Sequence, residues 1–186
     1  MPSSFPINEQ SIKNMKGQAL VFYLFLSLVF SACDSRSEPN SKYAFLNDFE
    51  GGFGYFPNVI LGVGHSGKAY FQMDETMEFG PTFTQTFKNV YGRPFSKINY
   101  SGYVMMPDPH NIAFLTVQVW DTTGSPLKIV QTEINAANLG ANRWKEVSIE
   151  LPLADWYAPD RQVRCFVHNP GKQTFFLDDL KVEFIP

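Results

Sequence analysis

Two carboxylates carry the most informative chemistry in this chain. Asp178 lies within Phe175-Phe176-Leu177-Asp178-Asp179-Leu180-Lys181-Val182-Glu183-Phe184, which reads as a closing β-strand. Phe176, Leu180, Val182 and Phe184 share one parity, so with a side-chain period of two they point into a core. Asp178 has the same parity, and a carboxylate on an apolar face is costly unless it is paired or binds a metal. Glu50 closes the first strand, in Asn47-Asp48-Phe49-Glu50, and Asp48 joins it if that strand bulges. The chemistry these residues would do is to hold a cation. Calcium takes six to eight oxygen ligands, both carboxylates and backbone carbonyls, whereas magnesium keeps several waters and resists an all-protein cage. The expectation is a structural Ca²⁺ held by Asp48, Glu50 and Asp178, with carbonyls from the Gly-rich turn His65 to Lys68. The alternative is that Asp178 or Glu50 caps a turn or accepts from backbone amides.

A second set of residues suits carbohydrate. Sugar rings present apolar C–H faces that pack on flat aromatic surfaces, while polar neighbours bond the hydroxyls. Phe114, Gln118 and Trp120 lie on the non-core parity of their strand. Tyr103 shares parity with Asn99 and Ser101, and Arg164 and His168 share another outward face. If these strands are neighbours in one sheet, Tyr103, Phe114, Gln118, Trp120, Arg164 and His168 form an aromatic and polar platform. The Gly-rich loop from Gly51 to Pro57, with Phe53, Tyr55 and Phe56, is a second candidate. For both, the alternative is structural: aromatic residues at sandwich edges plug the ends of the core. Trp144 reads as structural, and Trp156 is left open.

Other chemistries fail on mechanism. Gly62-Val63-Gly64-His65-Ser66-Gly67-Lys68 comes close to a phosphate loop, but Ala69 stands where a magnesium-binding hydroxyl is needed. A strand follows it, so no helix N-terminus is offered to a phosphate. No nucleotide is expected. The chain has no G-x-S-x-G elbow, no H-E-x-x-H and no zinc spacing. His65, His110 and His168 share no spacing motif, and Glu133, Glu146, Glu150 and Asp155 show no paired signature of glycoside hydrolysis. The expectation is that the chain is not an enzyme.

These residues must be positioned by strands, because the chain offers little else. Residues 1–33 are set aside first: Lys13 and Lys16 precede the short apolar run Ala19 to Phe30, a signal-peptide layout too short to span a membrane. Met15-Lys16 makes a more ordinary start than Met1. Removing residues 1–33 takes away Lys13, Lys16 and Glu9, so a net charge of −3 becomes −4. Nucleic acid wants a basic stripe and is not expected as a partner. The polar stretch 34–42 reads as a tether. The folded part, 43–186, shows alternation over 43–50, 68–74, 82–88, 96–105, 112–120, 127–134, 144–151, 162–168 and 174–185. Helix candidates are short, at Ala136 to Leu139 and Leu153 to Tyr157. Cys165 shares parity with Val163 and Val167 and reads as a small core residue. Many short strands separated by turn signals indicate an all-β antiparallel sandwich.

Two resemblances follow from these residues. Phe30-Ser31-Ala32-Cys33 resembles the lipobox of bacterial lipoproteins, with Phe30 where Leu is usual. This implies lipidation of Cys33 and anchoring in the cell envelope, at the outer membrane, since several acyl chains hold firmly where one is marginal. An ordinary secretory signal is the alternative. Further on, Phe49-Glu50, Ser66-Gly67-Lys68, Trp144 to Leu151 and Phe176-Leu177-Asp178-Asp179-Leu180 appear in that order. Together they resemble the galactose-binding-like jelly rolls that include many carbohydrate-binding modules. The resemblance implies a structural calcium at Glu50 and Asp178, and a non-catalytic glycan-binding role. The rival is a structural or assembly subunit of an envelope complex, using the same fold to bind an envelope protein.

Overall fold

The alternation along the chain closes into two facing sheets. A computed structural model describes residues 43–51 and 57–186. The leader, the tether, Cys33 and the loop aromatics Phe53, Tyr55 and Phe56 lie outside the described residues. The strands are β1 (Ala44–Asn47), β2 (Val59–Leu61), β3 (Ala69–Met73), β4 (Phe83–Thr86), β5 (Lys97–Met105), β6 (Ile112–Trp120), β7 (Pro126–Asn135), β8 (Lys145–Pro152), β9 (Gln162–His168) and β10 (Phe175–Ile185). One sheet runs β2-β3-β10-β5-β8, with β1 also on β10, and the other runs β4-β9-β6-β7. Every strand pairing is antiparallel. The first and last strands of the described residues pair, with Ala44 opposite Glu183.

The core lies between the sheets, on the parities read from the sequence. Leu115, Val117 and Val119 of β6 and Val163, Cys165 and Val167 of β9 face Ile98, Tyr100 and Val104 of β5 and Val147, Ile149 and Leu151 of β8. Each such aliphatic side chain contributes roughly 1.5–3 kcal/mol on burial. Burial pushes the Cys165 thiol far above its ordinary range, so it is an inert core group. Much of the phenylalanine closes one end of the sandwich: Phe184 has the rings of Phe45, Phe83, Phe87 and Phe95 at 5.2–6.3 Å.

Three local features differ from the sequence reading. First, the 82–88 strand ends at Thr86, and Phe87–Val90 turns into a helix, α1. A second helix, α2, falls at Ala136–Leu139, where the Asn135 side chain caps it by accepting from Ala137 N at 2.9 Å. Leu153 to Tyr157 is only a turn, in which Trp156 N and Tyr157 N both donate to Leu153 O. Second, Val59–Leu61 adds a strand. Third, β10 does not keep one parity along its length. Its register against β5 shifts between Asp178 and Lys181, and Asp179 has a φ of 48°. Before this bulge Phe175 and Leu177 are buried; after it Leu180, Val182 and Phe184 are. Phe176 therefore faces outward, against Tyr70 at 5.3 Å. Asp178 pairs with the outward Tyr103 and is not on the core side. It is buried because a turn is laid over it.

Candidate functional site

That turn is the Gly-rich stretch 62–69, and two carboxylates grip it. Asp178 Oδ2 accepts from His65 N at 2.7 Å and Ser66 N at 3.1 Å, while Oδ1 accepts from Asp179 N at 2.8 Å. Glu50 Oε1 accepts from Lys68 N at 2.7 Å and Ala69 N at 2.8 Å. Above them the His65 ring lies flat on Tyr103, with centroids 3.3 Å apart. His65 Nδ1 lies 2.7 Å from Asp179 Oδ2, and Ser66 Oγ donates to Asp179 Oδ1 at 2.7 Å. Gly67 carries a φ of +61°, which a glycine adopts without strain. Burial, reinforced by the neighbouring charge of Asp179, pushes the Asp178 carboxyl up to about 6, although amides of Ser66, Asp179 and His65 pull against it.

Among the described residues no three His, Cys, Asp or Glu side chains gather as a metal-binding group. Asp48, Glu50 and Asp178 therefore do not form a three-carboxylate cage, because Asp48 Oδ1 closes its own turn by accepting from Glu50 N at 3.2 Å. What the structure does form is an oxygen cradle at Gly64. A Cβ placed there would lie 2.6 Å from Ser66 O, 2.7 Å from Asp178 Oδ2 and 2.8 Å from Ala69 O. A carboxylate and two carbonyls are the hard oxygen donors that calcium takes. Glu50 braces the turn beside Gly67.

The sugar-platform residues separate into two groups. Tyr103 stands on β5, in the six-stranded sheet, and does not join the others, because β5 pairs with β10 and β8. The remaining five meet on the outward face of the four-stranded sheet. Phe114 is opposite His168 in the register, and Gln118 is opposite Arg164. Trp120 Nε1 donates to Gln118 Oε1 at 2.7 Å, and the Arg164 guanidinium sits 4.1 Å over the Trp120 ring. Gln162 holds Arg164 there by accepting from its Nε at 2.7 Å.

Two further residues complete this face. Phe79 bridges to His168 outside any named strand and stacks on its ring, with centroids 5.1 Å apart and planes at 12°. It also meets the nearly buried Phe166 edge-on at 5.6 Å. Phe79 is 53% exposed. His168 Nε2 lies 3.7 Å from Glu78 Oε1. Between the two aromatic ends, Gln131 Nε2 donates to the buried Thr116 Oγ1 at 3.1 Å. From Phe114 to Trp120 the face extends roughly 20 Å along β6, given a strand rise of about 3.4 Å per residue. Phe166 was legible as an outward residue of its strand, whereas Phe79 lies in an irregular stretch with no periodicity to mark it.

The arrangement can be set beside known proteins. Neither a protein-family model nor a curated protein sequence matches the chain. Solved structures do. The CBM22-2 xylan-binding domain of Paenibacillus barcinonensis Xyn10C superposes with a TM-score of 0.52 at 15% identity, over 75% of this chain and 98% of that one. The tandem CBM22-1–CBM22-2 structure from the same protein gives 0.58 at 15% identity, over 82% of this chain and 52% of that one. The C-terminal family 22 carbohydrate-binding module of Clostridium thermocellum Xyn10B gives 0.54 at 13% identity, over 79% and 96%. The likeness is one of fold: this chain has the galactose-binding-like jelly roll of those carbohydrate-binding modules.

Proposed function

We propose that the chain is a cell-envelope lipoprotein, anchored through Cys33, that binds glycan without cleaving it. The binding surface is the outward face of the four-stranded sheet. The observation that carries this reading is the row Phe79, His168 and Phe114 at one end of that face and Trp120 under Arg164 at the other. Flat rings are available to sugar C–H faces, and Gln118, Gln131 and Arg164 offer bonds to hydroxyls between them. The xylan bound by the Paenibacillus domain makes xylan the first ligand to try. A glycan array probed with the chain, including xylan and run with and without calcium, tests the reading. Binding to polysaccharide with no release of reducing ends is the expected result. Failure to bind any glycan would leave the rival role, docking of an envelope protein.

The anchor has its own test. Mass spectrometry of the membrane fraction should find acylated Cys33 as the mature N-terminus, and Cys33→Ser should release the protein or trap it unprocessed. An unmodified N-terminus elsewhere would end this part of the proposal.

Calcium belongs to the same reading as a structural ion. Asp178 and the carbonyls of Ser66 and Ala69 would hold it, with Glu50 fixing the turn. When bound, it would supply the positive charge that the buried Asp178 lacks, and with it a reason for the turn to stay closed.

A further inference from the structure

The outward face of the four-stranded sheet is not chemically uniform along its length. At one end Trp120 Nε1 donates to Gln118 Oε1 and Arg164 Nε donates to Gln162 Oε1, both at 2.7 Å. An indole N–H and an arginine Nε–H can only donate, so each glutamine must present its carbonyl oxygen and is left with its NH2. Among the described residues, neither that pair of amide NH2 groups nor the Arg164 Nη groups has a hydrogen-bond partner. Thr84, opposite Arg164 in the register of β4 and β9, adds an exposed hydroxyl that can also donate.

No carboxylate neutralises Arg164. Among the described residues it takes part in no ion pair. Asp121, which follows Trp120, closes its own turn by accepting from Thr123 N and Ser125 N. The acidic side chains belong to the other end of the face, Glu78 near His168 and Glu133 opposite Phe114. From Phe114 to Gln118 is roughly 14 Å at a strand rise of about 3.4 Å per residue. The guanidinium is also held still, 4.1 Å over the Trp120 ring and tied to Gln162. An arginine fixed in this way loses little freedom when it binds.

We propose that the glycan bound here carries a uronic acid, whose carboxylate is held by the Arg164 Nη groups with the Gln118 and Gln162 amides. This rests on the glycan-binding reading given above and names the class of glycan. A sugar hydroxyl has a proton to give as well as lone pairs to fill, and the unpaired groups at this end are nearly all donors. A carboxylate only accepts, and its two oxygens match the planar fork of a guanidinium. The opposite end selects differently. Glu78 and Glu133 accept from the hydroxyls of neutral sugars and repel a second carboxylate. The class is therefore a glycan with uronic acids set among neutral sugars, rather than a polymer acidic at every unit.

Methyl glucuronide and methyl glucoside test this, since they differ only in a carboxylate against a hydroxymethyl group. Each is titrated into the full chain while the Trp120 indole N–H and the Arg164 side-chain resonances are followed. The glucuronide should bind at least tenfold more tightly, the usual effect of a hydrogen bond to a charged group. Added salt should narrow that ratio, because the pair stays partly exposed. Arg164→Gln should bring the ratio close to one. If both glycosides move Trp120 with equal affinity, the face still binds sugar but the uronic acid is overturned. If neither moves it, the glycan reading of this end falls as well. Acetate matching the glucuronide would reduce the site to one for simple anions and overturn the proposal, as would an Arg164→Gln variant that keeps the preference. The comparison of the two glycosides on the unaltered chain is decisive even if the variant fails to fold.

Discussion

Phe79→Ala should lower glycan affinity about 30-fold or more while shifting stability by less than about 1 kcal/mol. The binding estimate is the roughly 2 kcal/mol at which an aromatic contact counts as a binding hot spot. The stability estimate follows from exposure: the ring is 53% exposed and lies on the surface of the sheet against His168 and Phe166, outside the core. Trp120→Ala is expected to behave differently. Its ring is half-buried, tied to Gln118 and covered on one side by Arg164, so removing it loosens three side chains that hold one another. It should weaken binding too, but with a measurable loss of melting temperature. Calorimetric titration with a glycan found on the array, beside thermal melts of both variants, separates the cases. If neither variant changes affinity, the outward face of the four-stranded sheet is not the binding surface.

How far the sequence leads depends on whether a feature is local. Alternation over Ile112–Trp120 and Gln162–His168 finds every core-facing residue, because a regular strand has a period of two, but not Thr116 and Phe166, which have the outward parity and are nevertheless buried. The missed strand, Val59–Leu61, is three apolar residues between turns, too short to show any period. The bulge in β10 is equally silent. Two adjacent aspartates do not announce that one of them takes a positive φ, yet that single extra residue moves Phe176 and Asp178 from the expected core to the outer face. Sheet membership is not local at all. Tyr103 has the outward parity expected of it, but its strand pairs with β8 and β10, and so it carries the His65 ring rather than a place beside Trp120. The loop over Asp178 shows the same limit: the expectation that this carboxylate needs partners holds, but the partners seen are amides from residues 112 and 113 positions earlier in the chain.

Protein stripped of metal should lose stability as pH rises from about 4 to about 6. The folded-state pKa of Asp178 is raised to about 6 from an ordinary 3.8, so in this window the native state holds a proton that the unfolded chain has released. Stability falls with pH wherever the native state binds more protons, and a shift of this size corresponds to a loss on the order of 2–3 kcal/mol. Asp74, Asp108 and Asp121 do not mask it. Their pKa values are lowered by hydrogen bonds, so the stability they contribute is lost only at more acid pH. Asp178→Asn cannot ionise and should flatten the slope, although its amide no longer accepts from Asp179 N as well as from the turn. Asp178→Ala should be worse at every pH, since it leaves the amides of His65, Ser66 and Asp179 without their acceptor, at roughly 1–3 kcal/mol for each group that stays buried. Calcium should reverse the trend. An ion favouring the charged carboxylate would raise the melting temperature most above pH 6, and only in the chain that retains Asp178. Denaturant melts from pH 4 to 8, with calcium and with chelator, read both effects. A flat or rising profile in chelator would show that the backbone amides alone satisfy the ionised carboxylate. A profile that calcium leaves unchanged would remove the ion from the Gly64 cradle.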